Sequence, residues 1–167
     1  MKKCFLLLSI LSLSAFGLKA QTYDHSVGVR VGYSSGIFYR YNVNSENSYS
    51  ALLSSRDNGL QLTALREFNQ KGIFGLPQEF SLIYGFGAHL GYTQWDVTSL
   101  YYYPDGVYTE HKSAGVAGLD GLVGLEYNIN DIPLSVGLEI KPFFDFGGEH
   151  NFEVVPQDIA LTFRFNF

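Results

Sequence analysis

Residues 158–167, the last ten of the chain, read D-I-A-L-T-F-R-F-N-F. Large apolar side chains alternate there with small, polar or charged ones, and the apolar set is Ile159, Leu161, Phe163, Phe165 and Phe167. A repeat of two residues is the side-chain period of a β-strand. Such a strand buries its apolar face against a second layer in a soluble sandwich, or turns that face to lipid in a transmembrane barrel.

The same alternation recurs along the chain, which predicts an all-β fold with eight strands. The predicted strands are residues 25–33, 37–43, 49–56, 60–69, 80–93, 115–128, 134–146 and 158–167. The sequence D-N-G at residues 57–59 predicts a tight hairpin between the third and fourth strands. Residues 94–112 and 147–156 break the alternation with polar side chains and are predicted as the two longest loops. Consecutive strands in an even number suit an antiparallel barrel.

The N-terminus has the features of a secretory signal peptide, which predicts cleavage after Ala20. Lys2 and Lys3 precede an apolar core that is shorter than the roughly 20 residues of a membrane-spanning helix. The remaining chain, residues 21–167, contains no cysteine and is expected to form one domain. We therefore predict export, followed by folding without disulfides.

The charge of this exported part argues against a nucleic-acid partner. The whole chain has eleven Lys and Arg against sixteen Asp and Glu, and three of the lysines lie in residues 1–20, so the rest carries a net charge of −8. Proteins that bind nucleic acid present clusters of basic residues to the phosphates.

The second face of the predicted strands carries most of their charge. It contains Arg30, Arg40, Arg56, Glu67, His89, Asp120, Glu126, Glu139, Lys141, Asp145 and Arg164. These side chains would face water on a soluble barrel and the lumen in a membrane barrel. We favour the membrane barrel because the apolar face carries one charge, Arg66, near a strand end, and because tyrosines cluster at strand ends, as in an interfacial aromatic girdle.

The signal peptide, the eight alternating strands and the terminal F-R-F-N-F resemble the small outer-membrane β-barrels of Gram-negative bacteria, the OmpA/OmpX-like group. The resemblance covers the whole of residues 21–167 and implies an up-and-down antiparallel barrel in the outer membrane, in contact with its lipid. It also implies that Phe163, Phe165 and Phe167 form the signal read by the barrel-assembly machinery.

Function is less constrained than fold, because function resides in sites. Five cations and five carboxylates among the predicted lumen residues indicate a lumen plugged by ion pairs, and therefore a structural or surface-interaction role. The alternatives are a small-solute channel or carrier, and a membrane-embedded lipid-modifying enzyme that would use a histidine such as His89 or His111. An exposed aromatic run, Tyr101, Tyr102 and Tyr103, is a possible recognition surface for an unknown extracellular ligand. No cofactor or metal motif is recognisable.

Overall fold

The computed structural model describes residues 23–56, 58–100, 107–130, 132–148 and 151–167. The predicted signal peptide and the run Tyr101–Tyr103 lie outside the described residues, as do Glu149 and His150 of the predicted loop at residues 147–156. The proposed division into residues 1–20 and 21–167 therefore stays a prediction.

Most of the described chain is β-strand. The strands are β1 (His25–Gly32), β2 (Ser35–Asn42), β3 (Asn47–Arg56), β4 (Gly59–Lys71), β5 (Phe80–Leu100), β6 (Val107–Asn128), β7 (Leu134–Ile140), β8 (Phe143–Gly147), β9 (Phe152–Val155) and β10 (Ile159–Asn166). A 3₁₀ turn, Ile73–Gly75, lies in the connection from β4 to β5. No helix in the described ranges is long and apolar enough to cross a membrane.

These strands close into an antiparallel barrel. Each of β1 to β6 pairs with its neighbour in sequence, β7 pairs with β6 and β10, and β10 returns to pair with β1. β7 and β8 follow one another along β6 with one continuous register, so they form a single seventh strand; β9 and β10 together form the eighth. The prediction of an eight-stranded antiparallel up-and-down barrel is confirmed.

The seventh and eighth strands share an irregularity in the middle of the wall. Between the pairs Ile140↔Ile159 and Phe143↔Val155, two residues of the seventh strand face three of the eighth. The extra residue forms a bulge, and each side contains a proline, which cannot donate to the ladder. Pairing resumes where the Lys141 N–H donates to the Asp158 carbonyl at 2.9 Å. The bulge leaves the Asp158 side chain fully buried inside the barrel.

The D-N-G hairpin is confirmed, because Arg56 pairs with Gly59 and Asn58 adopts the left-handed φ of 55°. The two predicted long loops are wrong in extent. β5 continues to Leu100 and β6 begins at Val107, so most of residues 94–112 is strand; residues 147–156 contain β9. Threonine, valine and aromatic side chains favour strands even where neither face is apolar. The pattern of alternating hydrophobicity disappears because both faces of this extension lie outside the barrel.

The extension of β5 and β6 forms a two-stranded ribbon, Thr93–Leu100 paired with 107–114. β4 pairs with β5 only as far as Tyr92, and β8 pairs with β6 only as far as Val116. Within the described chain, no strand therefore pairs with either outer edge of the ribbon. The ribbon leaves the barrel at the end opposite to His25 and Phe167, which join through backbone hydrogen bonds of 3.1 and 2.8 Å.

Candidate functional site: the charge network of the lumen

The barrel has an inverted distribution of polarity, with charges inside and apolar side chains outside. All eleven charged or histidine side chains predicted for the lumen lie there and are buried, together with Asp158. They lie on one side of each strand because alternate residues of a strand point to the same face. With five Arg or Lys, six Asp or Glu and one His, these twelve side chains are here called the lumen network.

Three arginines and three glutamates fill the half of the lumen nearer the chain termini. Arg40 contacts Glu67 at 2.5 Å and Glu126 at 3.6 Å. Arg164 pairs closely with Glu126 and lies 3.9 Å from Glu139, which also lies 3.9 Å from Arg30. Each carboxylate therefore has a guanidinium partner, which is what makes buried charge tolerable.

Arg30 links this half to the half nearer the ribbon. Its Nη1 donates to Asp158 Oδ1 at 2.9 Å, and Asp158 also accepts from the backbone N–H of Ser34 at 3.1 Å. Lys141 Nζ lies 3.4 Å from Asp158 Oδ2 and donates to Asp120 Oδ1 at 2.8 Å. The network thus continues across the bulge between the seventh and eighth strands.

The remaining members surround a buried aromatic ring. His89 Nδ1 lies 2.7 Å from Asp120 Oδ2, and His89 Nε2 lies 2.8 Å from Asp145 Oδ1. Asp145 also accepts from Arg56. The ring of Phe143, 1% exposed, has the Arg56 guanidinium carbon at 4.4 Å and Lys141 Nζ at 4.6 Å, within the range of cation–π attraction.

Two members of this arrangement were not predicted from the sequence. Asp158 has the same parity as Ala160, Thr162 and Arg164, so extending the alternation by one step would have placed it in the lumen. Phe143 is apolar but points inward, because it follows Lys141 by two residues. A search for polar residues misses Phe143. Counting every second residue from Lys141 would have placed it in the lumen.

One cavity between these side chains is small. A cavity lined by Arg30, Arg40, Glu67 and Glu139 has a volume of about 20 Å³, close to that of one water molecule. Apolar side chains complete the packing, and Leu65, Ile83 and Leu122 form a buried cluster inside the wall. An eight-stranded barrel leaves an interior that side chains can fill, and the lumen network lies in that interior.

The outer surface is apolar around the barrel and becomes polar on the ribbon. Phe163, Phe165 and Phe167 point outward and are 39–49% exposed, and the outward apolar residues of the other strands are also exposed. Along β5 the same face runs through Phe86, Leu90 and Tyr92 and then changes to Gln94 and Asp96. Arg66 is exposed on the apolar face, and its guanidinium lies 5.2 Å from the ring of Phe68. This pattern marks Tyr92 as the edge of the apolar band.

Outside the spanning strands, the Glu79 side chain joins two turns on the side of the chain termini. The Asn130 side-chain amide donates to Glu79 Oε1 at 3.0 Å, and this hydrogen bond lowers the pKa of the carboxyl group from its ordinary value. The Asn128 N–H also donates to the Glu79 carbonyl at 2.8 Å. These contacts connect the turn before β5 to the turn after β6.

Replacing Gly118 by alanine is expected to lower the free energy of unfolding by about 1–3 kcal/mol, through overpacking. A Cβ at this position would lie 2.1 Å from the Phe144 carbonyl oxygen and 2.3 Å from His89 Cε1, so the backbone and the network would both have to shift. Gly115→Ala on the same strand is the matched control, because the nearest atom would be 3.9 Å away. Urea unfolding of the refolded variants measures the difference, and equal stability would contradict the tight packing around His89.

Comparisons with known proteins give a likeness to solved structures and no family. No protein-family model matches the chain, and no curated protein matches it significantly. A solved structure, described as the crystal structure of the N-terminal β-barrel domain of Pseudomonas aeruginosa OprF, is similar with a TM-score of 0.48 and 11% sequence identity. The match covers 88% of this chain and 100% of that chain.

Proposed function

We propose that this chain, an OmpA/OmpX-like barrel with the architecture of outer-membrane proteins, is an integral outer-membrane protein whose lumen is closed by the lumen network. The observation that carries the proposal is the continuity of that network. Ion pairs run from Arg40 and Glu67 at one end of the lumen to Arg56 and Asp145 towards the other, with Arg30 and Asp158 between them. A hydrated ion would have to separate these pairs to pass.

The outer surface supports the location in a membrane. Exposed apolar side chains encircle the barrel, and a surface of that extent is far larger than a soluble monomer leaves in water. In a lipid bilayer the apolar band faces hydrocarbon instead of water, so its exposure carries no free-energy cost. The backbone hydrogen bonds are made within the barrel. The predicted signal peptide supports export to the outer membrane, and the aromatic terminal strand supports recognition by the assembly machinery.

The closed lumen supports a structural role for the barrel rather than transport. The ribbon adds a specific reason to propose surface interaction as its second role. It extends beyond the apolar band, and its outer edges carry backbone groups that no described strand uses. Such edges can pair with an extended segment of another protein. The barrel then serves as the membrane anchor that holds the ribbon at the cell surface.

An enzymatic role has weaker support. His89 does contact a carboxylate, as a catalytic histidine often does, but its side chain is completely inaccessible and each ring nitrogen faces an aspartate. His111 is exposed and its Nδ1 lies 2.5 Å from Asp96 Oδ1 on the ribbon. General acid–base catalysis needs a histidine within reach of a bound substrate. Separately, the described residues around His111 form no group of three metal-binding side chains.

Planar-bilayer recording tests the closed lumen directly. The refolded barrel is expected to add no regular conductance steps, because the cavity among the network residues holds about one water molecule. Heat-dependent migration on a gel, measured on the same preparation, verifies that the protein is folded. Reproducible single-channel steps from folded wild-type protein would contradict the closed lumen and favour the small-solute channel.

A further inference from the structure

We propose that His89 is a buried proton-binding site, at which the imidazole ring holds two protons and bridges Asp120 and Asp145. The proposal rests on the closed lumen proposed above, and it adds a bound proton to the lumen network. It follows from the contacts of the ring and from the charges on the neighbouring strands.

Both ring nitrogens of His89 face carboxylate oxygens. Nδ1 lies 2.7 Å from Asp120 Oδ2 in a hydrogen bond, and Nε2 lies 2.8 Å from Asp145 Oδ1 in an ion-pair contact without hydrogen-bond alignment. A neutral imidazole carries a proton on one nitrogen and a lone pair on the other. In the neutral ring, one unprotonated nitrogen would therefore lie within 3 Å of a carboxylate oxygen, and the two would repel each other.

The proton could instead lie on one of the two carboxyl groups, but each already has its own cation. Asp120 accepts from Lys141 through Oδ1, at 2.8 Å, and Asp145 accepts from Arg56 through Oδ2. These cations favour the ionised form of both carboxyl groups. The ring is then the group that carries the additional proton.

The charges around the site agree with this assignment. The groups that face His89 directly or through one neighbour are Asp120 on β6, Lys141 between β7 and β8, Asp145 on β8 and Arg56 on β3, while Thr63 on β4 is uncharged. Over the whole lumen network, the five Arg and Lys side chains face six Asp and Glu side chains. A protonated His89 equalises the described buried charges, whereas a neutral ring leaves one negative charge in excess.

The stability of the closed lumen then depends on the proton bound at His89. While His89 holds both protons, it joins Asp120 to Asp145 and so connects Lys141 to Arg56 through one chain of ion pairs. The stability that this proton contributes is present while the folded barrel holds it, and is lost once the pH is high enough to remove it. The ring of Phe143, perpendicular to His89 at a centroid distance of 5.8 Å, holds the imidazole in place.

Nitrogen NMR of the refolded chain, labelled with ¹⁵N only in histidine, tests the proposal at pH 7. We expect signals from a histidine ring with protons on both nitrogens that disappear in His89→Gln and remain in His111→Gln. Asp145→Asn keeps the size of the side chain but removes its charge, so it should convert His89 to a ring with one proton. A neutral His89 in the wild-type protein, or an unchanged doubly protonated ring in Asp145→Asn, would overturn the proposal.

The outcome is independent of the bilayer experiment. A conducting barrel with a doubly protonated His89 would contradict the closed lumen alone. A silent barrel with a neutral His89 would contradict the proton site alone. If His89→Gln does not refold, Asp145→Asn still provides the decisive spectrum, because it retains the histidine that is observed.

Discussion

Replacing Lys141 by methionine is expected to lower the free energy of unfolding by about 3–5 kcal/mol, the usual cost of removing one partner from a buried ion pair. The lysine side chain is completely buried, and its Nζ lies 2.8 Å from Asp120 Oδ1 and 3.4 Å from Asp158 Oδ2. Methionine has a similar length but no charge, so both carboxylates would remain in the lumen with one cationic partner fewer. The cation–π contact with Phe143 would also be lost.

Urea unfolding of the refolded barrel in lipid vesicles, followed by the shift in gel migration, measures the effect. Lys71→Met is the matched control, because Lys71 is exposed at the end of β4 and its replacement should change stability little. If the two variants are equally stable, Lys141 is not a required member of the lumen network. The continuous path of ion pairs across the bulge would then be wrong.

Replacing Leu138 by arginine is expected to cost about 2–4 kcal/mol in a lipid bilayer, the range for a cation on the lipid face near the midplane of a membrane barrel. Leu138 points outward, and its register neighbours Leu125 and Leu161 are also outward and apolar. The charge would therefore lie in the middle of the apolar band. The adjacent residue Glu139 points into the lumen and cannot reach across the wall.

Gln94→Arg provides the comparison for this substitution. Gln94 lies on the outward face of β5, two residues beyond Tyr92, where the surface has become polar. An arginine there should change stability by less than about 0.5 kcal/mol, as for an ordinary exposed position. Equal effects of the two substitutions in vesicles would mean that the face of Leu138 is not in contact with hydrocarbon, and would contradict the membrane location.

The alternation of apolar and polar residues allowed the strands and the side chains of the lumen to be predicted. It failed where a strand has no apolar outer face and no polar inner face. On Thr93–Leu100 and its partner strand, neither face meets the apolar band, so the hydrophobic period disappears although the backbone continues as a ladder. The bulge at residues 156–158 also could not be predicted from the alternation. It depends on a mismatch of one residue between two strands, which is defined only when both are paired.

Residue order alone decides which side chains share a face, because each strand sends alternate residues to opposite faces and the barrel closes around one of them. The partners of each charge are decided by strand pairing and by the stagger of the closed barrel. Arg56 meets Asp145 across 89 positions of sequence, and Arg30 meets Asp158 across 128. The pairing of His89 with two aspartates has the same origin. His89 on β5, Asp120 on β6 and Asp145 on β8 must lie at the same level of the barrel before both ring nitrogens can contact a carboxylate.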